Sequence, residues 1–347
     1  NGAIGTLTVT DGSASALTLN GNGLYFDLPA SGTTCDLIEI TGGLAVNGVN
    51  VVFIDALSGA APGTYTLMTF SGAPSGAGVI LFSNGTTTMG NATLSVNSGS
   101  VTVVVGAGGF PGNILTWDAN GTGAARTDGA GAWFGGNLWW DGYTNRNWVS
   151  GNSAVFGNGG TAGAVTLAIP TTVNYLTFNS FSGTYTLGTA GQTITLNNGI
   201  NMNSGAASVS LSTSPITLGG AQTWTNSSSS ALTCTSGLNN GGYLLTLSGN
   251  GNFNFHSTAN IITGSGGITK NGSGTVTLGA GGTTPAHNYT GTTTLNGGTL
   301  FINGNLSSGN LTINSGILEE YWTSTFNRAL GTAANQFQIT GGTSGFS

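Results

Sequence analysis

Short runs that read apolar, hydroxyl, apolar and then Asn or Gly recur along this sequence, and they restrict its fold more than any other feature. Leu17-Thr18-Leu19-Asn20-Gly21, Leu94-Ser95-Val96-Asn97-Ser98-Gly99, Ile194-Thr195-Leu196-Asn197-Asn198-Gly199, Thr294-Leu295-Asn296-Gly297-Gly298 and Leu311-Thr312-Ile313-Asn314-Ser315-Gly316 are variants of one unit. Alternation with period two puts the apolar side chains on one face of a strand, while Asn and Gly tolerate the positive φ that a sharp turn needs. No apolar stripe of helical period competes with it. Leu278, Leu295 and Ile313 follow one another at nearly equal intervals. A period of roughly 20 with one supersecondary unit per repeat predicts coils stacked into a solenoid. The same turn signals also fit antiparallel sandwiches, an alternative that weighs more over residues 1–110 than over 160–347.

The expected fold is therefore all-β: a right-handed parallel β-helix or β-solenoid, with a sandwich-like N-terminal part as its variant. Three regions are expected. Residues 1–112 form a β-rich module ending in the Val-rich strand 101–105, and residues 113–158 form a junction holding five of the seven Trp. Residues 159–347 form the most regular part of the solenoid.

Charge is nearly absent. Lys and Arg number 4 and Asp and Glu 10, for 4 % charged residues and a net charge of −6, where ordinary domains carry about 25 %. Four cations cannot neutralise the phosphates of a duplex, which excludes a nucleic-acid reader and a polybasic membrane-surface protein. Gly, Thr, Ser and Asn interrupt every apolar run well short of the roughly 18 residues a spanning helix needs, so no membrane insertion by this chain is expected. With 38 % apolar residues there is material for a core. Cys35 and Cys234 fit no metal spacing; one disulfide or two buried thiols would account for them, and buried thiols are expected. The opening residues carry no basic or apolar leader, so the sequence reads as a processed chain or as a stretch of a longer one.

Residues 264–300 carry a more specific pattern. Gly264-Ser265-Gly266-Gly267-Ile268-Thr269-Lys270-Asn271-Gly272-Ser273-Gly274-Thr275-Val276-Thr277-Leu278 is followed by Asn288-Tyr289-Thr290-Gly291-Thr292-Thr293-Thr294-Leu295 and Gly298-Thr299-Leu300. This order resembles the autotransporter-associated β-strand repeat, also called the passenger-associated transport repeat, at Gly266, Lys270, Gly272, Gly274, Asn288, Tyr289, Gly291 and Gly298. The chain's single Lys falls on the motif's Lys. Thr283 to His287 widen the middle, one clear copy is present, and no C-terminal membrane barrel is expected within these residues. The resemblance implies a parallel β-helical passenger, extracellular or on a bacterial cell surface, and it implies no catalytic residues.

Candidate sites are sparse. Glycan-cleaving solenoids use two carboxylates on one face, whereas Asp36 with Glu39, and Glu319 with Glu320, are separated by odd intervals that alternate faces. His256 and His287 lack partners at metal-ligand spacing, and no cofactor is expected. Trp133, Trp139, Trp140, Tyr143 and Trp148 could stack on sugar rings as a glycan platform or form an assembly contact, but large aromatics more often pack a junction. Repeated Thr-x-Thr pairs suggest an ice-binding array, against which their irregular spacing and the strand preference of Thr both weigh. Asn84, Asn91, Asn120, Asn226, Asn271, Asn288, Asn305 and Asn310 each open an Asn-x-Ser/Thr sequon.

A chain with so few edge-guarding charges is expected to add strands to itself. The functional expectation is a non-enzymatic building block of an extracellular fibre, sheath or surface layer, partnered by further copies of itself. The alternative is a singly displayed adhesin that holds a surface glycan through the Trp-rich block.

Overall fold

A computed structural model of the chain describes residues 4–29, 32–56, 60–83, 85–89, 91–106, 113–123, 125–142, 144–188, 191–212, 215–255, 262–279, 287–303, 306, 308–321 and 326–347. Among them every regular element is a strand. The chain packs as two units. Asn1–Leu115, Trp140–Thr144 and Trp148–Ser153 form the first, and Thr116–Trp139, Asn145–Asn147 and Ala154–Ser347 form the second. The Trp-rich stretch is thus divided between the two.

In the first unit the strands stack in three parallel columns. Thr6–Val9, Leu37–Ile40 and Gly63–Thr69 make one, and Gly23–Leu28, Val49–Ala56 and Val79–Phe82 another. Leu17–Asn20 beside Leu44–Asn47, extended by a bridge from Ala45 to Ser75, makes the third. Ile38 beside Met68, Ala45 beside Ser75 and Val49 beside Val79 each mark the same advance along the chain, one in each column. The N-terminal part is therefore three solenoid coils. Thr88–Met89, Ala92–Asn97 and Ser100–Val105 pair antiparallel, and the last of them lies antiparallel against Gly63–Thr69 and closes that column. Phe26, Leu44, Val52, Ile54, Tyr65, Leu67 and Val103 fill the interior.

In the second unit, ten parallel strands among the described residues, from Gly131–Ala132 to Ser344–Phe346, form one wall, with one strand per coil. Opposite it, Thr171–Phe178 and Ile194–Met202 pair from end to end with one register shift at Asn174. Ile194–Met202 then faces two short strands at once, Ile216–Leu218 and Gln222–Asn226, and the coils after it continue this division, so that their cross-section has three walls. Gly219 and Gly220 make the corner between those short strands. A Cβ on Gly219 would come within 2.1 Å of the Asn197 side chain of the coil before.

Register, rather than sequence interval, sets the stacking. Leu245, Ile268, Thr293, Leu311 and Phe337 follow one another in a single inward column, although the intervals between them along the chain are unequal. The step from Leu295 to Ile313 is a true coil. The step from Leu278 to Leu295 joins different walls, because Leu278 lies between Phe255 and Ile302. Turns lengthen or shorten at the corners while the walls stay aligned. Each fully buried Leu, Ile or Phe in these columns contributes on the order of 1.5–3 kcal/mol. Amides of successive coils also bond one another, within the long strands from Asn197 to Asn174 at 2.9 Å, and just past strand ends from Asn203 to Asn179 at 2.9 Å, Asn296 to Asn271 at 2.8 Å and Asn314 to Asn296 at 2.6 Å.

Candidate functional site

The Trp-rich block folds inward. Trp117, Trp133 and Trp139 are fully buried in the second unit with Phe156, Phe178 and Tyr185. Trp139 lies 4.8 Å from Trp133, 5.2 Å from Trp117 and 5.5 Å from Phe156, in the tilted and edge-to-face arrangements that aromatic quadrupoles favour. Its Nε1 donates to the Trp133 carbonyl at 2.7 Å, and Trp117 Nε1 donates to the Gly129 carbonyl at 3.1 Å. These indoles have no open face for a sugar ring. In the first unit Trp148 is buried and Trp140 is half-buried, which makes Trp140 the more accessible of the two. Tyr143 lies outside the described residues.

Two carboxylates hold this block by accepting backbone bonds. Asp118 Oδ1 accepts from the Thr127 amide and hydroxyl, and Oδ2 from the Gly123 amide and Asn145 Nδ2. Burial pushes the Asp118 pKa up, but those four donors outweigh it and hold the group below the usual carboxylate range. Asp128 Oδ1 accepts from the Gly157 amide and, at 2.6 Å, from Tyr185 OH, while Oδ2 accepts from the amides of Asn158 and Gly160. Burial and this carboxylate together raise the Tyr185 phenol. A carboxylate with its lone pairs committed in this way is a turn anchor rather than an acid–base group.

The other acids follow the alternation rule. Glu319 lies beside Phe301 on one face of its strand and Glu320 beside Ile302 on the other, where burial raises the Glu320 carboxyl. Asp36 accepts the amides of Gly5 and Asp27. A groove of about 280 Å³ in the first unit, between Val46, Val79, Ile80, Leu94 and Val96, is lined by no titratable side chain. Among the described residues no three His, Cys, Asp or Glu side chains are placed to hold a metal ion, and no helix is long and apolar enough to cross a membrane. His256 lies outside the described residues. His287 is buried beside Tyr289, and burial pulls it down to about 4, so its ring is neutral near pH 7.

The passenger-like repeat acquires a physical account. Gly266, Gly291 and Gly309 form a column in which a Cβ on Gly291 would meet the Gly266 carbonyl carbon at 2.3 Å, and one on Gly309 the Gly291 oxygen at 1.9 Å. Gly251, Gly274, Gly298 and Gly316 form a second column of the same kind. Gly272 and Gly298 also hold φ of 75° and 66°, in the left-handed region. Asn288 pairs with Thr263, and the Tyr289 hydroxyl sits 2.6 Å from Thr293 Oγ1 inside the coil.

Lys270 points inward, which spacing alone did not foretell. It occupies the interior column between Leu247 and Leu295, and its Nζ donates to the carbonyls of Asn271, Gly272 and Gly297 at 2.9–3.1 Å. The ammonium thereby ties one corner to the corner of the next coil. Burial pulls it down to about 8. The unfolded chain keeps this proton to about pH 10.4, so between about pH 8 and 10.4 the unfolded state binds more protons, and this residue adds stability as pH rises. The two raised thiols act in the opposite sense, so the signature is a difference. The stability of wild type minus that of Lys270→Met, from urea titrations, is expected to grow across that window; a constant difference would contradict the burial.

Both cysteines are free and buried. Cys234 sits in an apolar column between Leu211 and Phe255, and burial raises Cys35 to about 11 and Cys234 to about 12. Folded protein is expected to show no reaction with a thiol reagent at pH 8, whereas in denatured protein both cysteines should react. Prompt reaction in the folded state would contradict this placement. The threonines carry a further surprise: Thr223, Thr246, Thr269, Thr294 and Thr312 stand in one outward column, aligned by coils of unequal length.

The class defined by this geometry is the parallel β-solenoid, and one comparison adds to it. The chain is similar to the adhesin BmaC autotransporter of Brucella suis biovar 1 (strain 1330), with 45 % identity over 96 residues. The match covers 24 % of this chain and 3 % of that protein, so the chain corresponds to a small part of its relative's length. No protein family matches the chain, and no solved structure does.

Proposed function

We propose that this chain is a stretch of a bacterial surface passenger of the autotransporter kind, that it is non-enzymatic, and that its work is structural: coils add to coils to build an extracellular fibre, sheath or surface layer. The observation that carries this reading is how the coils are joined. Asn-to-Asn bonds, glycine columns and apolar columns hold successive coils, with 4 % charged residues in the whole chain. Such joints are little screened by salt. They also repeat without a specific partner, because each coil presents the next with the surface it was built on.

Light scattering of the purified chain at micromolar concentration, beside electron microscopy of the extracellular material, tests the proposal. Concentration-dependent end-to-end filaments are expected, and monodisperse single particles in both would refute it. A second reading, an adhesin, is supported by the name of the relative. It has Trp140 as its accessible aromatic, and it predicts that Trp140→Ala loses glycan binding while the chain stays folded.

A further inference from the structure

The sequons are not equivalent once folded. Asn226 is fully buried, and its Nδ2 donates to the carbonyls of Ser230 and Asn252, both at 2.9 Å. Asn310 Nδ2 donates to the carbonyls of Gly331, Ala333 and Gln336 at 3.0–3.1 Å. Asn271 belongs to the corner ladder, where its Oδ1 accepts from Asn296. Asn288 lies within a paired strand, and both it and Asn91 are engaged in other contacts. Asn84 and Asn305 lie outside the described residues.

Asn120 differs from all of these in its side-chain amide. Like Asn91 it is exposed on a turn, here one in which Gly121 has a φ of 66°. Its Oδ1 accepts from the Thr122 amide at 3.0 Å and the Thr122 hydroxyl at 2.7 Å, while its Nδ2 donates to nothing among the described residues. The turn is fixed from beneath, since the Gly121 amide donates to the Asp118 carbonyl, the Gly123 amide to Asp118 Oδ2, and the Asn120 amide to Thr127 Oγ1. The two residues that define an Asn-x-Thr acceptor are thus already in contact, on a hydrogen-bonded surface turn, with the reactive nitrogen engaged by nothing among the described residues.

We infer that Asn120 is an N-glycosylation site of the folded protein and that Asn226 and Asn310 are closed to modification. The co-substrate is a sugar activated by phosphate at its anomeric carbon. The bond from Nδ2 to that carbon forms as the carbon–oxygen bond to phosphate breaks. Phosphate leaves with the electron pair, and the Nδ2 proton passes to a base of the transferring enzyme. This inference does not rest on the assembly reading, and either can fail alone.

The experiment is peptide mapping by mass spectrometry of the protein recovered from the surface of the cells that make it. The peptide containing Asn120 is expected to carry a sugar mass. Steps of single hexoses would identify a nucleotide-activated donor, and one preassembled oligosaccharide a lipid-linked donor. Thr122→Ser is expected to keep the modification and Thr122→Val to lose it at an unchanged melting temperature. An unmodified Asn120 in wild type overturns the inference. So does sugar on Asn226 or Asn310 in folded protein, or a Thr122→Val chain that is still modified.

Discussion

Trp139→Ala is expected to lower the stability of the second unit by about 3–5 kcal/mol, the range for truncating a fully buried aromatic side chain. The indole has no exposed surface, contacts Trp117, Trp133 and Phe156 through its ring, and donates to the Trp133 carbonyl. Truncation leaves a cavity that three other rings cannot fill without leaving their edge-to-face geometry, and it leaves a buried carbonyl without its donor. Trp140→Ala, at a half-buried position, is expected to cost about 1 kcal/mol. Urea titrations followed by circular dichroism separate the two, and equal midpoints for the two variants would refute the packing role. The consequence for any binding assay is direct. Loss of a ligand in Trp139→Ala would report unfolding, so Trp140 is the informative position.

Gly266→Ala is expected to destabilise the coils around it by about 3 kcal/mol or more, at or beyond the usual range for overpacking. The added Cβ would stand 1.9 Å from the Tyr243 carbonyl oxygen and 2.6–2.7 Å from its carbon and nitrogen. All three are backbone atoms of the neighbouring coil, and the Gly266 amide and carbonyl are themselves held there, by Asn240 Oδ1 at 2.9 Å and Asn240 Nδ2 at 2.8 Å. No side chain can swing aside to make room. Gly341→Ala is the control, because its Cβ would meet nothing within 4 Å, and a change within about 0.5 kcal/mol is expected. If both variants melt together, the glycine column is not what sets coil spacing.

Much of this was legible in the residues. Period-two alternation closed by Asn and Gly determined that the chain is all-β and which side chains share a face, because a strand has only two faces. The order of Gly and Lys in residues 264–300 marked positions that the fold places at crowded corners, with Gly266, Gly274, Gly291 and Gly298 in columns that leave no room for a Cβ. What the sequence could not determine is which strand lies beside which. The interval from Leu278 to Leu295 reads as one coil and is not one, whereas the longer interval from Leu245 to Ile268 is. Coil length is set at the corners, where a turn can gain or lose residues at little cost, while the walls are aligned by contacts between residues far apart in sequence. For the same reason the threonine column, the inward Lys270 and the separation of Asn120 from the buried sequons were decided by tertiary structure alone. Each depends on what the neighbouring coil puts opposite, and a spacing along one chain carries no record of that.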